Sequence, residues 1–224
     1  RYWRDWSSDV CSSDLAAAKD LFEHAQRILK QIIDGKLIRA RGVYGFWPAN
    51  SDGDDVVLWT ASEPGRPKKV AARFPMLRQQ EVIADDKPNR SLADFVAPID
   101  SGITDYVGAF AVTAGIGVDA FVKTYEAAHD DYSAIIVKAI ADRLAEAFAE
   151  YLHAQARREW GFGDTLSNDQ FIDEQFRGIR PAFGYPACPD HTEKGRLFTL
   201  LDARSQGLDL TESFAMTPAA SVSG

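Results

Sequence analysis

The sequence predicts a single domain in which antiparallel strands are framed by helices. Between residues 37 and 74, short runs rich in β-branched and aromatic residues alternate with turn-forming clusters, the pattern of an antiparallel meander with short links. Residues 21–33 and 131–158 repeat apolar side chains at three- and four-residue steps, the mark of amphipathic helices. Residues 106–113 (YVGAFAVT) are nearly all apolar and read as a central strand. With 224 residues, 46% of them hydrophobic, the chain is long enough to bury one core.

Residues 1–15, RYWRDWSSDVCSSDL, stand apart. Ser-Ser-Asp occurs twice, at 7–9 and 12–14, and the segment resembles translated adapter sequence from an assembled gene fragment. It is set aside as foreign, Cys11 is given no role, and the domain is taken as 16–224. In the first helix Leu21, Phe22, Ala25, Ile28, Leu29, Ile32 and Ile33 form the apolar face, Gly35 is the stop, and His24 is expected on the solvated side. Residues 37–47 (LIRARGVYGFW) are a strand, bent at Gly42 and Gly45. Residues 48–54 (PANSDGD) are a turn, 55–60 its hairpin partner, 63–68 (EPGRPK) a second turn and 70–74 a short strand.

Residues 88–103 read mostly as loop. Gly115 and Gly117 lack the third glycine and the later acidic residue of a dinucleotide site, so they read as a turn into a helix starting near Asp119. In the long helix, Ile136, Ile140, Leu144, Ala147, Phe148 and Tyr151 line one stripe. Ser167 caps a further helix, with Gln170 completing a capping box, Phe171, Ile172 and Phe176 as its buried side and Gly178 as its end. Residues 213–224 have strand and turn character, and the C-terminus reads as truncated.

A net charge of −8 provides no basic footprint for nucleic acid or an anionic membrane, and no apolar run reaches the roughly 20 residues of a membrane span. Two cysteines, Cys11 and Cys188, do not make a disulfide framework and suit a reducing compartment.

The stretch at 180–194, RPAFGYPACPDHTEK, organises the rest. Pro181, Pro186 and Pro189 exclude regular helix and central strand, which leaves a stiff extended ribbon. Gly184, without a Cβ, lets a ligand or another backbone come close. Asp190 reads as a helix N-cap with Glu193 in the capping-box position, and Leu197, Leu200 and Leu201 give the new helix its apolar face. Such a ribbon ending at a helix N-terminus suits a polar ligand; a packed connector is the plainer alternative.

No catalytic engine is visible. Cys188 and His191 have no second ligand pair, so a zinc site is not expected, and nothing orients a Cys-His nucleophile. Asp142, Glu146 and Glu150 share a helix face at four-residue spacing; solvation explains the row, and a cationic ligand is the sharper reading.

The ribbon resembles the signature loop of the activation domain of cobalamin-dependent methionine synthase. So do ARGVYGFWPAN at 40–50, FPMLRQQ at 74–80, LADFVAP at 92–98, GAFAVTAGIG at 108–117, ADRLAEAFAEYLH at 141–153 and LTESFAM at 210–216. The resemblance, running from about Ala16 to the end, implies an α+β, C-shaped domain with a bent antiparallel sheet and flanking helices. It implies a cytoplasmic module of a methyltransferase in methionine biosynthesis. Such a module binds S-adenosylmethionine and presents its methyl group for reductive remethylation of cob(II)alamin, which a partner domain holds while a flavodoxin-like protein or flavoprotein reductase supplies the electron.

By the same resemblance Arg180 holds the ligand's carboxylate, the backbone of Ala182 contacts the adenine, Gly184 and Tyr185 shape the pocket, and Glu146 and Glu174 lie near the sulfonium. No side chain is implied as acid, base or nucleophile, and no metal is held. An aspartate of the family's N-terminal Asp-Trp-Thr-Pro segment and a tyrosine that follows Ser-Val-Ser-Gly have no counterpart, and Phe183 stands where the family has proline or a small residue. Ligand binding is therefore expected to be weakened or lost, and the alternative is a docking module for a corrinoid or flavodoxin-like partner.

Overall fold

The computed structural model of the chain describes residues 12–60, 69–81, 88–163, 165–173 and 175–224. Helix α1 (Ser12–Gly35) is followed by strands β1 (Arg39–Asp52), β2 (Asp55–Trp59), β3 (Val70–Pro75) and β4 (Asp105–Ile116). Helices α2 (Val118–Ala127), α3 (Asp131–Trp160), α4 (Asn168–Ile172) and α5 (Lys194–Leu201) come next, then strands β5 (Asp209–Leu210), β6 (Met216–Thr217) and β7 (Ser221–Ser223). Five strands form one antiparallel sheet in the order β3-β2-β1-β4-β7, bent and flanked by helices, an α+β architecture. Among the described residues no helix is long and apolar enough to cross a membrane.

Strand β1 continues through the 48–52 stretch expected to turn. Pro48 is tolerated because the β2 ladder begins only at Ala49↔Leu58, so one side of β1 is unladdered at that level. The chain reverses at Gly53 and Asp54 instead; Gly53 has φ +62° and opens a two-residue loop between the facing residues Asp52 and Asp55. The turn expected at 63–68 lies outside the described residues. The register irregularity of β1 on β4 falls between Arg39 and Arg41, not at Gly42 or Gly45. A Cβ on Gly42 would press on Val112 and Phe148, so this glycine lets β1 and α3 pack closely.

The two faces of β4 serve two layers, as side-chain alternation requires. Val107, Ala109 and Ala111 join a core with Leu197, Phe198 and Leu201 of α5. Val112 packs against Phe148 and Ala149 of α3, and Ala114 joins Ile28 and Ile32 of α1 and Val137, Ala141 and Ala145 of α3. Ala141, Ala145 and Ala149 recur every four residues and are fully buried, so α3 lies close on its neighbours. Ala147 and Tyr151, expected in the buried stripe, face solvent. The buried seam runs about one residue from the predicted stripe because it is built from alanines rather than from larger apolar side chains.

His24 is not on the solvated side. Its Nε2 lies 2.9 Å from Ser133 Oγ, which donates to the Asp130 carboxylate at 2.6 Å, and so α1 is tied to the start of α3. Leu21, Phe22 and Ile33 are the exposed members of the predicted α1 face. Strand β7 closes the sheet beside β4, and Gly224 exchanges backbone hydrogen bonds with Phe110 at 2.8 and 3.1 Å.

Candidate functional site

The sheet, the C-terminal half of α3 and the ribbon enclose a cavity of about 690 Å³, within the range of small-molecule sites. Its floor is apolar, with Leu58, Phe74 and Phe183, and its rim is aromatic. At that rim the Trp160 ring lies 4.9 Å from Phe46 and 5.1 Å from Tyr106, and Tyr44 donates to the Glu159 carboxylate at 2.5 Å. That bond raises the Tyr44 phenol above its ordinary pKa and lowers Glu159, because it favours the neutral phenol and the charged carboxylate.

Helix α3 also fixes where the ribbon begins. Arg157, nearly buried, donates from Nη1 to the carbonyl of Arg177 at 2.7 Å, and its guanidinium sits 4.5 Å from the centre of the Phe162 ring. Three residues later Arg180 reaches the cavity, with Pro181, Ala182 and Phe183 beside it. Arg180 Nη2 donates to Glu150 Oε1 of α3. Among the described residues the backbone N–H and C=O of Ala182 have no hydrogen-bond partner. Phe183, at the position where the resemblance leads one to expect proline or a small residue, points into the core under α5.

Beyond Phe183 the ribbon folds on itself. Gly184 N–H donates to Cys188 C=O and Cys188 N–H to Tyr185 C=O, each at 2.8 Å, making a tight turn that carries Pro186 at its tip. Gly184 has φ +104°, and the group that approaches it is the His191 ring, not a ligand. Tyr185 is 66% exposed on the outside of the turn, so neither Gly184 nor Tyr185 lines the cavity. Cys188 is buried, its Sγ 3.9 Å from Met76 Sδ, and burial pushes its thiol up to about 12, which leaves it no nucleophilic character at neutral pH.

The helix start differs from the expected capping box. Asp190 accepts from Thr192 N–H at 2.8 Å and Thr192 Oγ1 at 2.7 Å, opening a 3₁₀ turn at His191–Glu193, and these bonds hold its carboxyl below the ordinary range. The cap carboxylate thus occupies a site that a ligand anion would have used. Glu193 does not reach back to the cap; it is buried beside Arg196 Nε at 3.0 Å, and burial raises its pKa. The Ser167–Gln170 capping box is present, with bonds of 2.9 and 3.3 Å. Its helix ends at Ile172, which is exposed, well before Gly178; the Phe171 side chain lies outside the described ones.

Of the expected site residues, Arg180 and Ala182 come together at the cavity. Glu146 lies elsewhere on α3, in an exposed pair with Arg143 at 2.6 Å, and Glu174 lies outside the described residues. Glu150 is visible in the sequence only as one member of the acidic row, with no local signal that it meets Arg180, 30 residues later. The cavity thus sets one guanidinium and an open stretch of backbone beside an apolar floor, and no acid–base or nucleophilic constellation is assembled among the described residues that line it.

Residues 9–224 match the family model of the vitamin B12 dependent methionine synthase activation domain. A solved structure of the MetH reactivation domain bound to AdoHcy is 48% identical, with a TM-score of 0.87 over 96% of this chain. This chain spans 66% of that structure's length. The chain belongs to the activation-domain family of vitamin B12 dependent methionine synthases.

Proposed function

We propose that this chain is an S-adenosylmethionine-binding module that serves reactivation of a cobalamin-dependent methionine synthase. The ligand supplies the methyl group on its sulfonium; the chain binds and orients it. Arg180 takes the carboxylate, for which a planar guanidinium is suited. The open backbone groups of Ala182 take the adenine edge, while Gly184 and Tyr185 keep the ribbon's shape. The resemblance also sets Glu146 and Glu174 near the sulfonium, where negative charge favours a cation; of the two, Glu146 stands off the cavity, exposed and paired with Arg143, so its share of that charge is screened. Positioning is the whole contribution, and no side chain acts as acid, base or nucleophile. The module works in the cytoplasm against a cobalamin-binding domain, with the electron coming from a flavodoxin-like protein or flavoprotein reductase.

The observation that carries this reading is the meeting of Arg180 and the unbonded Ala182 backbone at the edge of one cavity. Calorimetric titration with S-adenosylmethionine tests it. The expected result is saturable one-to-one heat that weakens at least about tenfold in Arg180→Ala, the loss of one charged hydrogen-bond partner. No heat in either protein, or equal heats, favours a docking module without ligand binding.

A further inference from the structure

We infer that Glu150 is the positioning residue that holds Arg180 for the ligand's carboxylate. The inference rests on the ligand reading above and goes beyond it, because it assigns a role to a helix residue that does not line the cavity.

Three observations place Glu150 in that role. The first is enclosure. The Arg180 and Glu150 side chains are 22% and 31% exposed, and among the described residues no other ion pair has both partners below a third. The Arg143–Glu146 pair one turn earlier is 80% and 58% exposed, where water screens the attraction and the pair fixes little.

The second is the unequal stiffness of the two partners' supports. Glu150 stands between Ala149 and Leu152, both buried against the sheet, so its backbone is fixed. Arg180 stands on a ribbon with no regular secondary structure. A hydrogen bond between them transfers the helix's position to the guanidinium.

The third is what the bond leaves open. Only Nη2 of Arg180 is engaged, and only Oε1 of Glu150 accepts. Arg180 lines the cavity and Glu150 does not, so the carboxylate engages one corner of the guanidinium and leaves Nη1 for a second carboxylate, while Nε is enclosed. The geometry also permits a competing role, in which Glu150 draws Arg180 away from the ligand, and the two roles predict opposite signs.

Binding of S-adenosylhomocysteine and of 5′-methylthioadenosine to the 224-residue chain separates them. The second probe has the nucleoside and thioether but no amino-acid end. Glu150→Gln is expected to weaken S-adenosylhomocysteine roughly tenfold, one charged hydrogen bond's worth, and to leave 5′-methylthioadenosine unchanged. In an Arg180→Ala background the same change is expected to have no further effect, because Glu150 acts through Arg180. Should Gln at 150 prevent folding, Glu150→Asp, which keeps the charge but shortens the reach, is expected to show the same selective loss. Unchanged or tighter S-adenosylhomocysteine binding in E150Q, with R180A still weak, overturns the inference. Equal losses for both probes also overturn it, since they indicate a general structural role. If neither probe binds the unaltered chain, the ligand reading itself fails and the inference falls with it.

Discussion

The His191 ring lies where residue 184 would carry a side chain: a Cβ on Gly184 would collide with Cε1 of that ring and come within 2.6 Å of Nε2. His191 is in turn anchored by Lys194, whose Nζ donates to Nδ1 at 2.9 Å. The start of α5 therefore buttresses the ribbon from behind, and the missing side chain at 184 is what lets it approach. Replacing Gly184 with Ala should destabilise the chain by about 1–3 kcal/mol, from the φ of +104° as well as the collision. Urea unfolding measures this directly. His191→Ala should relieve part of the loss in the double variant, because it removes the collision but not the backbone strain.

Cys188 should be inert in the folded chain. Burial, with Glu193 and Asp190 adding negative charge nearby, holds the thiol at about 12. Alkylation with iodoacetamide at pH 8, followed by mass spectrometry of the peptide containing Cys188, should show no modification until denaturant unfolds the chain. Rapid labelling in native buffer would show that the ribbon opens without unfolding.

The Arg78 guanidinium bridges Asp54 at 2.5 Å and Asp94 at 2.7 Å, tying the β-hairpin loop to the segment after β3. Hydrogen bonds from Arg78, then from the Ser91 N–H, hold the Asp94 carboxyl below its ordinary range. An unfolded chain protonates this group at higher pH than the folded one does. Its contribution is thus complete above the unfolded carboxylate pKa and fades as pH falls through that value towards the folded one. The stability difference between the unaltered chain and Asp94→Asn should be constant near neutral pH and shrink as pH drops below about 4. The pair is solvent-facing, so the difference at neutral pH should be modest. A gap that widens in acid would contradict this assignment.

Much of the fold was legible because its elements announce themselves locally. The alternation of residues 37–47, most of them in β1, the apolar run of β4 and the three- and four-residue steps of α1 and α3 each follow from one local periodicity. The errors arose where a tertiary partner overrides a local rule. Pro48 signalled a turn, yet it sits in a strand that is laddered on one side only at that level. His24 read as solvated because nothing in α1 reveals that Ser133, 109 residues later, waits for it. The α3 seam was drawn through the larger side chains, whereas close packing selected Ala141, Ala145 and Ala149. At the site, the prolines single out the ribbon, and the family resemblance singles out Arg180. Four-residue spacing puts Glu146 and Glu150 on one helix face, the resemblance favours Glu146 alone, and only the course of the ribbon past α3 brings Glu150 to Arg180.

The most direct measurement is hydrogen exchange across the ribbon with and without S-adenosylmethionine. The Gly184 and Cys188 amides are already bonded in the ribbon's own turn, whereas the Ala182 amide has no partner among the described residues. If Arg180 and the Ala182 backbone hold the ligand, saturation should slow exchange at Ala182 and leave Gly184 and Cys188 little changed. Ligand binding detected by its heat, with exchange at Ala182 unaltered, would contradict the account.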